Sequence, residues 1–122
     1  MSATLVKAAG TLFNAVAVSG STTYNSAVID LRGGSGFNAT ILWTGTPSGL
    51  FTVYVCNDYV PGRTIATSGS WAALDIPEMA AKSPAGAAGN LSIDVETRAL
   101  FAYVAYVNSA STGTVSGTAG VG

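Results

Sequence analysis

The sequence contains few charged residues and no histidine. Charged side chains make up 9% of its 122 residues, against about 25% in a typical soluble domain. Histidine is the commonest general base and metal ligand in proteins. Without it, no Ser/His/Asp triad, Cys/His pair or histidine-containing zinc site can be built. These absences argue against an enzyme, and we expect no catalytic residues, no bound metal and no cofactor.

The cations are few and scattered, so the chain has no basic patch. The net charge is −1, and the five cationic residues are spread along the sequence: Lys7, Arg32, Arg63, Lys82 and Arg98. Nucleic-acid binding and attraction to an anionic membrane surface both depend on clustered Lys and Arg. We therefore expect neither nucleic acid nor a membrane as a partner.

The chain has one cysteine and no recognisable targeting segment. Cys56 cannot form an intramolecular disulfide, and its place at the end of a predicted strand indicates a small buried side chain. The N-terminal residues lack the basic and apolar regions of a signal peptide. No apolar run approaches the length of a membrane span. We expect synthesis and folding in the cytoplasm.

The sequence does contain a series of short β-type segments, and the clearest lies between Phe37 and Asp58. Two β-rich runs there flank the turn Gly45-Thr46-Pro47-Ser48-Gly49. Alternate residues give each run one apolar face: Phe37, Ala39, Ile41 and Trp43 in the first, and Phe51, Val53 and Val55 in the second. We predict that the two runs pair as an antiparallel hairpin and form one wall of the core.

Further segments have β character and are separated by turn signals: Leu12–Val18, Tyr24–Leu31, Thr64–Ala66, Ser70–Leu74, Leu91–Glu96, Phe101–Val107 and Thr112–Val121. The Leu91 segment alternates apolar and polar residues, which predicts one buried and one solvated face. The Phe101 segment is apolar on both faces, which predicts a central strand. About 7–9 short strands in one domain over residues 1–122 predict an all-β antiparallel sandwich or jelly roll.

At most one short helix is predicted, near residues 75–82. Asp75 occupies a capping position, Pro77 follows in the first turn, and Glu78 comes three residues after the cap. Pro84 ends the segment.

Three residues that border loops are candidates for contact with a partner: Tyr59, Arg63 and Trp71. Trp71 can alternatively plug the core. Trp43 and Tyr103 have the parity of core residues, so packing explains them.

Carboxylates offer the other candidate chemistry. Asp94 and Glu96 lie two apart on one strand face, with Arg98 on the same parity, and such a pair could hydrolyse glycosides or bind calcium. A solvated face with a weak ion pair explains them better. Asp58 is predicted to cap a turn through its side chain.

The surface composition favours an assembly. Exposed strand edges are usually blunted by Lys, Pro or inward-pointing charges, and this chain has few such residues. Its small, uncharged faces suit burial against copies of itself or against a partner. We expect a structural subunit that forms a dimer or trimer.

Two segments carry a resemblance to a known group of proteins. Residues 41–58 contain Trp-x-Gly-x-Pro-x-Gly from Trp43 to Gly49, end in Cys56-Asn57-Asp58 and are followed by Trp71. Residues 101–114 combine a Tyr/Val-rich strand with a Ser-x-Ser-Thr-Gly-Thr end. This order is similar to that of small β-sandwich structural proteins of tailed bacteriophages, and it covers Ala27 to Val115.

The resemblance implies a virion component made in the host cytoplasm, and no catalysis. The first function that it implies is that of a capsid decoration (cement) protein that binds the major capsid protein. The alternative is a tail, fibre or spike module that binds host-surface carbohydrate. The group often has Arg near Ala105 and Ser at Cys56, so any contact made by that Arg is not carried over to this chain.

Overall fold

The computed structural model describes residues 10–122, and in that range it contains nine strands and one short helix. The elements are β1 (Gly10–Val18), β2 (Thr22–Asn25), β3 (Ile29–Asp30), β4 (Gly36–Gly45), β5 (Ser48–Cys56), β6 (Ala72–Leu74), α1 (Pro77–Ala81), β7 (Gly89–Glu96), β8 (Phe101–Ala110) and β9 (Gly113–Val121). No helix in this range is long and apolar enough to cross a membrane.

The strands form two antiparallel sheets that pack face to face. Sheet A has the order β1-β9-β4-β7. Sheet B has the order β2-β8-β5-β6, and β3 also pairs with β8. The predicted all-β sandwich is confirmed. The predicted central strand is confirmed as well, because β8 lies inside sheet B and is buried on both faces from Phe101 to Tyr106.

The predicted hairpin between β4 and β5 is wrong, because the two strands lie in different sheets. A two-residue hairpin turn needs positive φ at its first central residue and, in type I′, at both. Thr46 does not adopt positive φ, and Pro47 cannot. Thr46 N donates instead to Thr112 O, and Gly86 N donates to Pro47 O. These bonds to neighbouring loops hold the connection as it carries the chain from one sheet to the other.

The predicted apolar face of β4 is nevertheless correct. The four alternating residues of β4 are all buried: Phe37, Ala39, Ile41 and Trp43. Phe51 and Val53 of β5 are buried as well. The two faces meet across the sandwich, where the ring centroids of Trp43 and Phe51 lie 5.7 Å apart. The sequence pattern therefore identified the faces but not the pairing.

Phe51 is the centre of an aromatic group that joins the two sheets. Its ring centroid lies 6.2 Å from that of Phe13 in β1 and 4.6 Å from that of Tyr106 in β8. The buried hydroxyl of Tyr106 donates to Asn108 Oδ1 at 2.8 Å. Asn108 Nδ2 in turn donates to the carbonyls of Gly20 and Ser111. This network satisfies the polar atoms of the core, whose burial without partners would be costly.

The predicted strand from Tyr24 to Leu31 is broken into β2 and β3. Ser26 is buried at the break, where its N–H donates to Val104 O and its Oγ accepts from Val104 N. The side chain thus replaces a regular ladder contact, and Ala27, which follows it, is exposed while Ile29 is buried.

Two smaller predictions are also wrong. Thr64–Ala66 is part of a turn in which Thr67 N and Ser68 N donate to Thr64 O, so it pairs with no strand. The short helix exists within the predicted range, but its N-cap is Ile76 and not Asp75, with no side-chain cap. Tertiary packing of the buried Met79 fixes this helix more than capping does.

We expect Phe51→Ala to lower the free energy of unfolding by about 3–5 kcal/mol, because it leaves a cavity among three rings. Leu42→Ala is the matched control, since Leu42 lies on the outer face of sheet A and is 53% exposed. It should change stability by less than about 0.5 kcal/mol. Urea denaturation of both variants measures the difference, and equal effects would contradict the central place given to Phe51.

Candidate functional site

The outer faces of the two sheets differ in chemistry. The outer face of sheet A is polar, with paired side chains such as Asn38 opposite Asp94 and Thr40 opposite both Ser92 and Thr118. The outer face of sheet B is built on β5 and β8, and neither strand carries a charged residue. We call the outward side chains of these two strands the sheet B face: Leu50, Thr52, Tyr54, Cys56, Phe101, Tyr103, Ala105 and Val107.

One end of the sheet B face is apolar and exposed. Leu50 and Val107 are directly opposite each other in the ladder and are 45% and 46% exposed. Two large apolar side chains side by side present more apolar surface than singly scattered ones, which are normal on protein surfaces.

The other end of the sheet B face carries a cluster of five aromatic rings. Tyr54 and Tyr103 are stacked with centroids 5.2 Å apart, and Trp71 meets Tyr103 edge-on at 4.8 Å. Tyr59 contacts both Trp71 at 5.5 Å and Phe101 at 5.3 Å. Offset and edge-to-face contacts of this kind stabilise by about 0.5–1.5 kcal/mol per pair beyond area burial.

Tyr103 is buried, as predicted for a core residue, but it lies on the outer face of sheet B and not in the core between the sheets. It alternates with the core residues Ala102 and Val104 and so points away from the sandwich core. The loop from residue 57 to residue 71 covers it, and this burial raises the pKa of its hydroxyl. Trp71 likewise packs on the outer side of sheet B, half-buried, and does not plug the core.

Asp58 fixes the loop of residues 57–71, which we call the covering loop. Its carboxylate accepts from Ser70 N at 2.7 Å and from Ser70 Oγ at 2.8 Å. The predicted side-chain cap is therefore present, but it joins the two ends of a long loop instead of closing a local turn. The hydrogen bonds from the backbone and then the hydroxyl of Ser70 lower the pKa of Asp58.

Further hydrogen bonds within the covering loop hold its tip. Val60 N donates to Ser68 Oγ at 2.9 Å, and Trp71 Nε1 donates to Ser68 O at 2.9 Å. The hydroxyl of Tyr59 donates to the carbonyl of Arg63. Loops of this length without secondary structure are uncommon in compact domains and are often functional.

The structure brings the three predicted contact residues together in the covering loop. Tyr59 and Trp71 touch, whereas Arg63 lies exposed at the tip and forms no salt bridge within residues 10–122. Val60 beside it is 51% exposed. The tip thus offers one cation next to apolar surface.

Sequence reasoning missed Leu50 and Val107. The parity of Leu50, next to buried Phe51, indicates that it points outward. Nothing local to Val107 shows that it lies opposite Leu50, because that depends on the register between β5 and β8. The available signal was that β8 has apolar residues on both faces, which indicates that its outer face also needs a contact.

The carboxylates on β7 are not arranged as a catalytic or metal-binding site. Asp94 and Glu96 are exposed, as predicted, and form no ion pair within residues 10–122. In the same range, no three His, Cys, Asp or Glu side chains lie close enough together to hold a metal. Cys56 is buried, which confirms its interpretation as a small packed side chain.

Comparison with known proteins identifies the fold and no sequence family. No family model matches the chain, and no curated protein matches it in sequence. A chain in the structure of infectious bursal disease virus (Gx strain) has 13% identity and a TM-score of 0.52, over 93% of this chain and 31% of its own length. The enzymatically active domain of bacteriophage CBA120 tailspike protein 4 has 13% identity and a TM-score of 0.50, over 94% of this chain and 18% of its own.

The present chain therefore spans about a third or less of the length of these two structures. At 13% identity the likeness shows a shared β-sandwich fold. Both similar domains belong to viruses, one of them to a phage tailspike.

We expect acid to loosen the covering loop through Asp58. Because its pKa is lowered in the folded chain, the carboxylate stabilises the loop above its ordinary pKa near 3.8. That contribution is lost as the pH falls through the lowered value. In an NMR titration, the indole N–H signal of Trp71 should move toward a solvent-exposed position only as the pH falls below 3.8.

The indole N–H of Trp43 donates to Ala87 O outside this loop and serves as the internal control. Asp58→Asn should shift the Trp71 signal already at neutral pH, whereas Asp94→Asn should leave the titration unchanged. If the Trp71 signal changes neither with pH nor in Asp58→Asn, the role given to this carboxylate is contradicted.

Proposed function

We propose that this chain is a structural protein of a phage virion that decorates the capsid by binding the major capsid protein. The observation that carries the proposal is the sheet B face together with the tip of the covering loop. The face is uncharged, exposes Leu50 and Val107, and continues into an aromatic cluster next to Arg63. Depletion of charge with enrichment of aromatic residues and Arg characterises the buried centre of protein interfaces.

The sequence resemblance to phage structural proteins and the shared fold with domains of viral proteins support the same proposal. The rigidity of the face supports it further. The face lies on two central strands, and the loop beside it is held by several hydrogen bonds. A surface that is already ordered loses little conformational entropy when it binds.

The decoration mechanism would be burial of additional interface area on the assembled shell. A ligand that binds the assembled state and not its dissociated parts stabilises that state by mass action. No step in this mechanism needs a catalytic group, and we propose that the chain is not an enzyme. The absence of histidine and the solvated position of Asp94 and Glu96 support this.

The alternative proposal, a tail, fibre or spike module that binds host carbohydrate, has weaker support. Sugar binding by aromatic residues needs a free ring face and free polar groups beside it. Here Tyr59 and Trp71 pack against each other and against Phe101 and Tyr103 at steep angles. The hydroxyl of Tyr59 and the N–H of Trp71 are bonded within the loop.

The test is incubation of the purified chain with emptied capsids that lack it, followed by sedimentation and a melting scan of the shell. We expect saturable co-sedimentation and a raised melting temperature of the shell. Leu50→Asp and Val107→Asp should each weaken binding at least about tenfold, because they bury an unpaired charge in the contact.

Leu42→Asp is the matched control, since Leu42 has similar exposure but lies on the opposite face of the sandwich. It should bind like the unmodified chain. Equal losses from all three variants would argue against the sheet B face. If the unmodified chain does not bind the shell, the proposal of capsid decoration fails, and a change of Trp fluorescence on titration with host glycans would then support the alternative.

A further inference from the structure

We propose that two copies of this chain pair through strand β7, so that sheet A continues across a two-fold axis from one copy into the other. The sequence predicted a homo-oligomer without locating its contact. The structure points to one edge because the other strand edges are bulged or short, whereas β7 is long and regular.

The remaining edges of both sheets are irregular or short. In β1 the register with β9 shifts twice, and Ala15 within it has a φ of 48°. Bulges of this kind twist an edge away from an incoming strand. The edges of sheet B are short, since β2 has four residues, β3 has two and β6 has three. This corrects the expectation that edge protection is generally lacking.

Strand β7 has none of these features. Its eight residues pair with β4 in unbroken register from Gly89 opposite Trp43 to Glu96 opposite Gly36. Within residues 10–122, no other strand, loop or side chain hydrogen-bonds to the outer edge of its main chain. A regular open edge of this length is a template for another strand.

The direction of the free main-chain groups follows from the ladder. Thr97 N donates to Ser35 O, one step beyond the last pair of β4 and β7. Since hydrogen-bonded pairs alternate in an antiparallel ladder, Leu91, Ile93 and Val95 bond to β4. The N–H and C=O groups of the alternate residues therefore point outward: Asn90, Ser92, Asp94 and Glu96.

These outward residues complement themselves in the register centred on Ile93. A two-fold axis at Ile93 places Ser92 opposite Asp94 of the second copy, and Asn90 opposite Glu96. Each carboxylate then faces a hydroxyl or an amide, and the outward main-chain groups form hydrogen-bonded pairs along the whole strand. Moving the axis to Asp94 would set two carboxylates opposite each other, which is destabilising. Moving it to Ser92 would leave Glu96 opposite Ala88, which lies outside the strand.

The partner of the β7 edge is therefore a second copy of this chain, in the register centred on Ile93. A strand pair by itself buries less than the about 1,200–2,000 Å² of a standard stable interface. We accordingly expect association at high protein concentration, such as that of many copies on one shell, and dissociation on dilution.

Register-specific disulfide formation tests the proposal, in a Cys56→Ser background that removes the native thiol. Directly opposite residues of a hydrogen-bonded pair have Cα atoms about 5.5 Å apart, within disulfide reach. Diagonal neighbours lie about 7–8 Å apart and are too far. We expect an oxidised mixture of Ser92→Cys and Asp94→Cys chains to yield mainly the mixed covalent dimer.

Each outcome of the oxidation is informative. Thr118→Cys, on the same outer face but in a strand paired on both sides, gives the level of random collision. Cross-linking of Ser92→Cys with itself, or of Asp94→Cys with itself, above that level would overturn the register. Cross-linking of every combination at the Thr118→Cys level would overturn the β7 contact.

Sedimentation of the full chain over a concentration series gives a second, independent readout without capsids. We expect a monomer–dimer equilibrium that Ser92→Pro abolishes. Proline removes the outward N–H of residue 92, which the proposed contact between copies needs and the pairing of β7 with β4 does not use. Ser92→Ala keeps that N–H and should still dimerise. A chain that remains monomeric at its highest soluble concentration would overturn the dimer and leave the proposed binding of capsids untouched.

Discussion

Strands β5 and β8 are apolar on both of their faces, and this constraint shapes the rest of the structure. On their inner faces, Phe51 joins sheet B to sheet A through ring contacts with Phe13 and Trp43, and Tyr106 packs against it from the neighbouring strand. Their outer residues cannot use the same core, so they need another cover. The chain supplies that cover for one end only, where the covering loop packs Tyr59 and Trp71 onto the strands.

The loop can act as a cover because polar groups inside it replace a secondary-structure ladder. Asp58 binds both the backbone and the side chain of Ser70, and Asn57 Oδ1 accepts from Leu100 N. These bonds anchor the loop beside β8 and keep the aromatic rings in place. The uncovered end, with Leu50 and Val107, is then an apolar surface on a rigid support. Such a surface is expected where a partner binds.

The sequence was informative about faces and uninformative about partners. Alternation predicted the buried side of β4 and β7 because a strand has a period of two, whatever it pairs with. It could not predict that Thr46 and Pro47 lead the chain into the opposite sheet, since that depends on bonds to Thr112 and Gly86, far away in sequence. Tyr103 was assigned to the wrong side for a related reason. On a strand that is apolar on both faces, parity alone does not distinguish the core from a surface covered by a loop.

The candidate site was predictable to a similar extent. Tyr59, Arg63 and Trp71 stood out because aromatic and cationic residues bordered loop signals, and they do share one loop. Leu50 and Val107 did not stand out, because their proximity depends on the register of two strands that are far apart in the sequence. A contact made by strand register carries no local sequence signal.

The two proposed contacts are geometrically compatible. Antiparallel pairing of β7 about Ile93 requires a two-fold axis perpendicular to sheet A, because equivalent residues of the two strands then point to the same side. Sheet B lies on one side of sheet A, so such an axis directs the sheet B faces of both copies the same way. A dimer would thus present two equivalent binding faces to a single surface. Once one face is bound, the second binds at a high effective concentration, which strengthens attachment without any new contact within either copy.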